Sequence, residues 1–320
     1  MGQMLDQDIK ILKYITKLPQ LIKNPSQYLN KKARFDRMRK FLARYLPETL
    51  AWDEFYMKYT YWRYFGKKLD LKNPRTFNEK LRWIMLYDRN PLYTHLADKY
   101  LVRDYVRKCI GTEYLNPLIG AYNETDEIDW ESLPEKFVIK LNHGSHWNII
   151  CPAKASVIRE DTIKKINEWK SQNFYHTHRE FHYKNIDKKI LVEEFISETS
   201  KKIECNFYCF NGNPVFIEAN IEHENKNFRV YYDMSWNIQP FEIRYHAPFK
   251  SIDKPKNLNK MIEIAEMISS KIPFCRVDLY NLSGKIVFGE ITITPGAGYL
   301  NFVPKEYDLL WGNLMDITVN

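Results

Sequence analysis

The stretch FCRVDLYNLSGKIVFGEITITPGAG, residues 274–298, holds two runs of β-branched and aromatic residues separated by Ser283-Gly284. Runs at 275–280 and 286–291 joined by such a dipeptide predict a β-hairpin. Alternate residues of a strand share a face, so Arg276 and Asp278 lie together on the first strand, and Glu290 and Thr292 on the second. Closing the hairpin brings Asp278 within reach of Glu290. Two carboxylates with an arginine beside them suit Mg²⁺ bridging a polyphosphate, because magnesium takes one or two carboxylates and completes its shell with phosphate oxygens and water. A structural Arg–Asp pair on an exposed hairpin is the plainer alternative. It is weakened by Gly289 just before Glu290 and by the Pro295-Gly296 break, which opens a backbone loop after the second strand.

Working outward, FVIKLNHGSHWN (residues 137–148) is an apolar strand that ends in Lys140 and runs into a small polar loop with Gly144 and Ser145. A compact ammonium beside loop amides suits phosphate, although the P-loop pattern GxxxxGK[ST] is absent. ILVEEFISE (residues 190–198) is a hydrophobic strand carrying Glu193 and Glu194. Adjacent strand residues face opposite ways, so one of these carboxylates points inward and needs a partner.

The first 110 residues read as mostly helical, with helices expected at 5–17, 26–46 (Ser26 as N-cap), 53–65, 76–87 from a Thr76/Glu79 capping box, and 94–109 ended by Gly111. Strands follow at 118–122, 137–141, 148–151, 190–196, 205–210, 215–219, 229–232, 275–280 and 286–291, with helices at 160–170, 258–271 and 305–315. Asn211-Gly212 is a second hairpin signal. The fold class is therefore α+β with mainly antiparallel strands.

The composition excludes several classes. A hydrophobic fraction of 44% supports a sizeable core, and 11 glycines and 15 prolines in 320 residues exclude collagen-like and low-complexity chains. No apolar run is long enough to span a membrane, no signal-peptide pattern opens the sequence, and five cysteines make an improbable disulfide framework; a reducing cytoplasm fits. Residues 1–90 carry a net charge of +11 against +8 for the whole chain, so the basic character belongs to the N-terminal quarter. Such a segment attracts acidic lipid or polysaccharide; nucleic acid ranks last, since no recognition module is present.

Three other groups carry less. Cys205 and Cys209 read as buried small hydrophobes rather than zinc ligands. His176, His178 and His182 suggest a mobile polar loop over phosphates, with Arg179 as its reactive member. The Trp and Tyr residues between 52 and 64 favour core packing over stacking on sugars.

The ordered set Lys140, Glu193-Glu194, Arg276-x-Asp278 and Glu290-x-Thr292 with Thr294-Pro295-Gly296 resembles the ATP-grasp superfamily, and more narrowly its teichuronopeptide-biosynthesis (TupA-like) branch of bacterial surface-polysaccharide clusters. Further segments agree: residues 73–80 (NPRTFNEK), Asp98-Lys99, Val102-Arg103, residues 142–145 (NHGS), 207–212 (FYCFNG), 232–237 (YDMSWN) and 306–308 (EYD). The resemblance covers roughly residues 70–317. It implies an ATP-grasp region at 71–320, with a phosphate-loop part at about 112–195 and a metal-site part at about 196–320, after the basic helical region that charge and periodicity give for 1–70.

By that resemblance Lys99 and Lys140 contact ATP, Gly144 and Ser145 close over its phosphates, Glu193, Glu194 and Ile196 meet the adenine, and Glu198 meets the ribose. Asp278, Glu290 and Thr292 hold Mg²⁺, and Arg276 stabilises the transferring phosphoryl group. The sequence departs from the branch at Glu204-Cys-Asn206, where Asp-Tyr-Lys is usual, at His146, where glycine is common, and near Glu218–Phe228, where an arginine is often seen and Arg229 or Lys226 could substitute. The implied activity is an ATP-dependent carboxylate–amine ligase, joining a sugar carboxylate (a uronic acid, free, nucleotide-linked or polymeric) to a small amine, in the cytoplasm or at the inner membrane face. A sugar kinase or glycosyltransferase of the same pathway, and an inactive scaffold docking on membrane or polyanion, stay open as alternatives.

Overall fold

The computed structural model describes residues 28–196, 202–223, 226–243 and 251–317. The expected helix at 5–17, the Ser26 cap and Glu198 lie outside them. In chain order the helices are α1 (Tyr28–Tyr45), α2 (Leu50–Phe65), α3 (Phe77–Tyr87), α4 (Pro91–Ala97), α5 (Val102–Ile110), α6 (Arg159–Lys170), α7 (Tyr175–His178), α8 (Leu258–Ser269) and α9 (Tyr307–Leu314). The strands are β1 (Leu118–Tyr122), β2 (Phe137–Leu141), β3 (Asn148–Cys151), β4 (Ile190–Glu194), β5 (Lys202–Phe210), β6 (Asn213–His223), β7 (Lys226–Tyr232), β8 (Glu242–Ile243), β9 (Phe274–Leu282), β10 (Lys285–Thr292) and β11 (Phe302–Val303). The chain divides into two units: the residues up to Lys68 with His176–Arg179, and Leu69–Tyr175 with Glu180 onward.

In the first unit α1 buries Leu42 and Ala43, and α2 buries Tyr56, Met57 and Tyr61. Gly66 ends α2 in the left-handed conformation (φ 70°), its N–H donating to the Trp62 carbonyl. Arg179 closes the other helix. Its guanidinium is fully buried and donates to the carbonyls of Ala43, Leu46 and Pro47 and to Asp53 Oδ1 (2.9 Å). The last carbonyls of a helix have no intrahelical partner and form its negative end, so a buried cation there satisfies both needs. The expectation that Arg179 serves a mobile polar loop is therefore corrected: its donors are spent on the end of α1. His176 and His178 sit in α7, paired with Glu48 and Arg39, and His182 is buried in a 3₁₀ turn. The aromatics of α2 divide: Tyr56 and Tyr61 are core, whereas Phe55, Trp62 and Tyr64 are exposed.

In the second unit α3 starts at the expected capping box, with Glu79 N–H donating to Thr76 Oγ1 (3.3 Å) and Thr76 N–H to Glu79 Oε2 (3.0 Å). The single helix expected over 94–109 is instead two, α4 and α5. The Asp98 carboxylate accepts from the amides of Tyr100 (2.8 Å) and Leu101 (3.3 Å), which offers the backbone an alternative to the helix. Asn90 caps α4 through Leu92 N–H, with Pro91 as the first helical residue.

Two antiparallel sheets carry the rest, in the orders β1-β4-β2-β3 and β10-β9-β5-β6-β7, beside a small β8–β11 pair that the sequence does not announce. Both expected hairpins form. Asn211-Gly212 and Ser283-Gly284 all have positive φ, as two-residue hairpin turns require. One face of the larger sheet is apolar (Cys205, Phe207, Cys209, Ile217, Ala219, Val277, Leu279) and meets Met261, Ile264, Ala265 and Ile268 of α8. The other face carries Asn206, Glu218, Arg276 and Asp278, while Tyr208, Phe210 and Phe216 on the same face pack on Trp311 of α9. Among the described residues no helix is long and apolar enough to cross a membrane, and the five cysteines form no disulfide.

Candidate active site

The polar face is organised in rows that cross the strands. One row reads Glu290, Asp278, Asn206, Glu218 and Tyr231, each directly opposite the next across β10, β9, β5, β6 and β7. The β9–β10 register shifts between Phe288 and Glu290, a bulge at Gly289, where an added Cβ would lie 3.0 Å from the Asp278 carbonyl. The bulge puts Glu290 opposite Asp278. Arg276 then spans both: Nε donates to Asp278 Oδ1 (2.7 Å), and Nη2 to Asp278 Oδ2 and to Glu290 Oε1 (3.2 Å). Thr292 Oγ1 also donates to Glu290 Oε1 (3.2 Å).

The two carboxyls are driven apart electrostatically. Burial pushes the Asp278 carboxyl well above its ordinary value, with Glu290 and Glu204 adding repulsion against the pull of Arg276. Desolvation acts upward on Glu290 too, but Lys99, Arg276 and Lys140 together hold it below the usual carboxylate range. Burial disfavours the Arg276 charge, yet the contact with Asp278 raises its pKa well above normal.

Lys140, at the end of β2, donates to Glu193 Oε2 on β4 (2.7 Å), and Glu193 also takes Arg103 (3.4 Å) and Asn116 (3.3 Å). Glu193 is the inward member of its pair and Glu194 is exposed, as strand alternation requires. The Glu193 carboxylate thus fixes a lysine. The amide of Glu194 is spent on the Pro117 carbonyl (3.0 Å), and its carbonyl takes Asn116 Nδ2 (2.8 Å), while Ile196 follows the end of β4. Lys99 donates to the Gly144 carbonyl, so that ammonium holds the small loop. Desolvation lowers its pKa and Lys140 lowers it further, whereas Glu290 raises it. Lys99 therefore holds the loop of the smaller sheet and, without a direct contact, acts electrostatically on Glu290 of the larger one.

In the loop, a Cβ on Gly144 would meet the Trp147 ring at 2.4 Å, and Ser145 is half-buried. His146 adopts φ 62°, the left-handed conformation that glycine takes without strain, which accounts physically for the preference at that position.

Sequence reasoning missed one cluster. Glu218, 2% exposed, accepts from Tyr208 and Tyr231 hydroxyls (2.8 Å each) and from Asn206 (3.2 Å) and Asn220 (3.3 Å), and pairs with the Arg229 guanidinium (Nε at 3.1 Å). Burial acts upward on its carboxyl, but Arg229 and Arg276 bring it below the ordinary value. The signal was present as a lone acid on the alternation of β6.

Residues 79–316 match the protein family described as TupA-like ATPgrasp. Among solved structures the chain is similar to D-alanine–D-alanine ligase from Bacillus anthracis complexed with ATP (14% identity, 63% of this chain and 56% of that one, TM-score 0.39). It is similar to the same ligase from Helicobacter pylori (16%, 69% and 61%, 0.38). A third is N5-carboxyaminoimidazole synthase from Aspergillus clavatus in complex with ADP and an aminoimidazole ribonucleotide (10%, 62% and 44%, 0.37). The chain spans 56% of the first of these ligases, and no protein of curated description matches it.

Proposed function

This chain belongs to the TupA-like ATP-grasp family, and on that premise we propose that it is an ATP-dependent carboxylate–amine ligase. The observation that carries the proposal is one guanidinium, Arg276, bridging Asp278 and Glu290, with Lys140 on β2 and Lys99 in the turn after α4 lowering the Glu290 pKa. Such a cluster offers positive charge for phosphate oxygens and acidic oxygens for a divalent cation.

The donor set fits Mg²⁺. Asp278 and Glu290 supply two hard carboxylates face to face, and a cation there would offset the repulsion that Glu290 adds to the burial raising the Asp278 carboxyl. Bound there, Mg²⁺ would neutralise charge on the phosphates of ATP. The Thr292 hydroxyl, which donates to Glu290, serves to orient that carboxylate. Lys140, held by Glu193, and Lys99 bind phosphate oxygens, with Gly144 and Ser145 supplying backbone donors. Arg276 orients the substrate carboxylate for attack on the γ-phosphorus and stabilises charge on the transferring group. ADP leaves, and the amine displaces phosphate from the acyl carbon to give an amide. The residues bind, orient and neutralise; none acts as a covalent nucleophile.

The carboxylate in this reading is a uronic acid and the amine an amino acid or amino alcohol, in a cytoplasmic step of surface-polysaccharide synthesis. Hydroxylamine tests the reaction class without the natural amine. A uronic acid, Mg²⁺-ATP and hydroxylamine should yield hydroxamate with stoichiometric ADP and phosphate. A stable sugar phosphate formed without amine would overturn the proposal in favour of a kinase. No ADP, together with no Mg²⁺-ATP-dependent rise in thermal midpoint, would overturn it in favour of a scaffold.

A further inference from the structure

The polar face continues beyond the Arg276–Asp278–Glu290 group, across β5, β6 and β7, and the ligase reading makes no use of that part. Its cation is Arg229 on β7, opposite Asn220 on β6. Among the described residues Arg229 Nε donates to Asn220 Oδ1 (2.9 Å) and pairs with Glu218 Oε1 (3.1 Å), and Tyr231 also acts on the guanidinium. A guanidinium anchored through Nε presents the opposite edge of its fork, the two Nη nitrogens, in the geometry that matches a carboxylate or phosphate bidentately. The anchor is deep and its cation reaches the surface: the Glu218 side chain is 3% exposed and that of Arg229 28%.

Glu218 does not need this arginine as a hydrogen-bond donor, because Tyr208, Tyr231, Asn206 and Asn220 already donate to it. What the arrangement achieves is a fixed arginine. Burial works against the Arg229 charge, but Glu218 outweighs it and raises the guanidinium's pKa above its ordinary value. Tyr208 lies directly opposite Arg276, and both arginines act on Glu218, so the two cations share one surface. Asp278 on β9 and Arg229 on β7 are three strand steps apart, or about 10–14 Å allowing for the lean of the side chain toward Glu218.

We propose that Arg229 is the anchor for a second anionic group on the acid substrate, so that this protein acts on doubly charged acids. This rests on the ligase reading: one carboxylate meets Arg276, and a phosphate or a second carboxylate meets the Arg229 fork. The anion comes either from a diphosphate on the sugar or from the next acidic unit of a polymer.

The test is equilibrium binding to the full chain by calorimetry, with Mg²⁺-ADP saturating so that no probe enters the nucleotide site. The probes are UDP-glucuronate, digalacturonate and glucuronate. Wild type should bind UDP-glucuronate or digalacturonate at least about tenfold more tightly than glucuronate, and the one preferred identifies the source of the anion. Arg229→Gln should remove that advantage, a loss of about 10- to 100-fold, and leave glucuronate affinity unchanged. Arg229→Lys, which keeps the charge but not the fork, should retain part of it. The proposal is overturned if wild type binds neither doubly charged probe, if it binds all three equally, if the advantage persists in Arg229→Gln, or if that variant weakens glucuronate by the same factor. A binding pattern as expected with no hydroxamate formed would sink the ligase reading alone. Hydroxamate formation without the preference would sink the anion anchor alone.

Discussion

Glu290 stands directly opposite Asp278 across the β9–β10 hairpin, and the single guanidinium of Arg276 donates to both. The pairing depends on one bulged residue, Gly289, since without the shift in register Glu290 would not face Asp278. Arg276→Ala is expected to lower turnover by about 10²–10³-fold, in the range found for removing one preorganised donor. Arg276→Lys should recover little, because an ammonium cannot span two carboxylates as a fork does. Steady-state ADP release, with circular dichroism to verify folding, checks both; near-normal turnover in either would refute the assignment.

Lys140 is held by Glu193, and the pair is the base of the proposed phosphate contact. Mg²⁺-ATP at 100 times its Kd should stabilise wild type by about 2.7 kcal/mol. Lys140→Ala should lose most of the accompanying rise in thermal midpoint, and Glu193→Gln part of it. A Lys140→Ala protein with the full rise would show that the nucleotide binds elsewhere.

Arg179 is expected to matter for stability rather than for chemistry. Its removal takes the buried cation from Asp53 and the donors from the carbonyls at the end of α1, a loss of about 3–5 kcal/mol for breaking a buried pair. Arg179→Ala should make residues 28–68 markedly easier to proteolyse while the Mg²⁺-ATP-dependent rise in midpoint survives. Undiminished resistance to protease would contradict the clamp.

Two buried histidines set an acid limit. Burial lowers the pKa of His143 to about 4 and that of His182 to about 3, from an ordinary value of 6.5. Both stay neutral in the folded chain at pH values where the unfolded chain takes up a proton. Their contribution is thus complete above pH 6.5 and is lost as pH falls toward 4 and 3, at about 1.4 kcal/mol per pH unit for each histidine. Urea denaturation at pH 7 and pH 5 should show the decline, and His182→Phe should make it shallower. An unchanged slope would mean that His182 charges freely in the fold.

His146 occupies the left-handed region in the loop that Lys99 holds. His146→Gly should remove the steric cost and stabilise the protein by up to about 1 kcal/mol, less whatever backbone entropy the glycine adds to the unfolded chain. Chemical denaturation measures it, and a destabilised variant would show that the side chain makes contacts of greater worth.

What the sequence determined by itself was local. The Ser283-Gly284 and Asn211-Gly212 turns, the period-2 alternation placing Arg276 with Asp278, the opposite facing of Glu193 and Glu194, and the Thr76–Glu79 box all depend on residues within a few positions of one another. Their geometry follows from backbone sterics and strand pleat, which act at that range. The family resemblance was legible for the same reason, being carried by short motifs in order.

Tertiary structure decided what depends on distant partners. Asp98 breaks the expected helix while also accepting from Asn142, 44 residues away, and Arg179 is taken from the expected loop by carbonyls more than 130 residues earlier. Glu218 gathers its hydroxyls from two neighbouring strands, and Lys99 comes to act on Glu290 only when the two sheets are in place. Burying a charged or polar group is costly without a partner, so the chain settles on the arrangement that supplies one, and which residue supplies it is a property of the packed molecule.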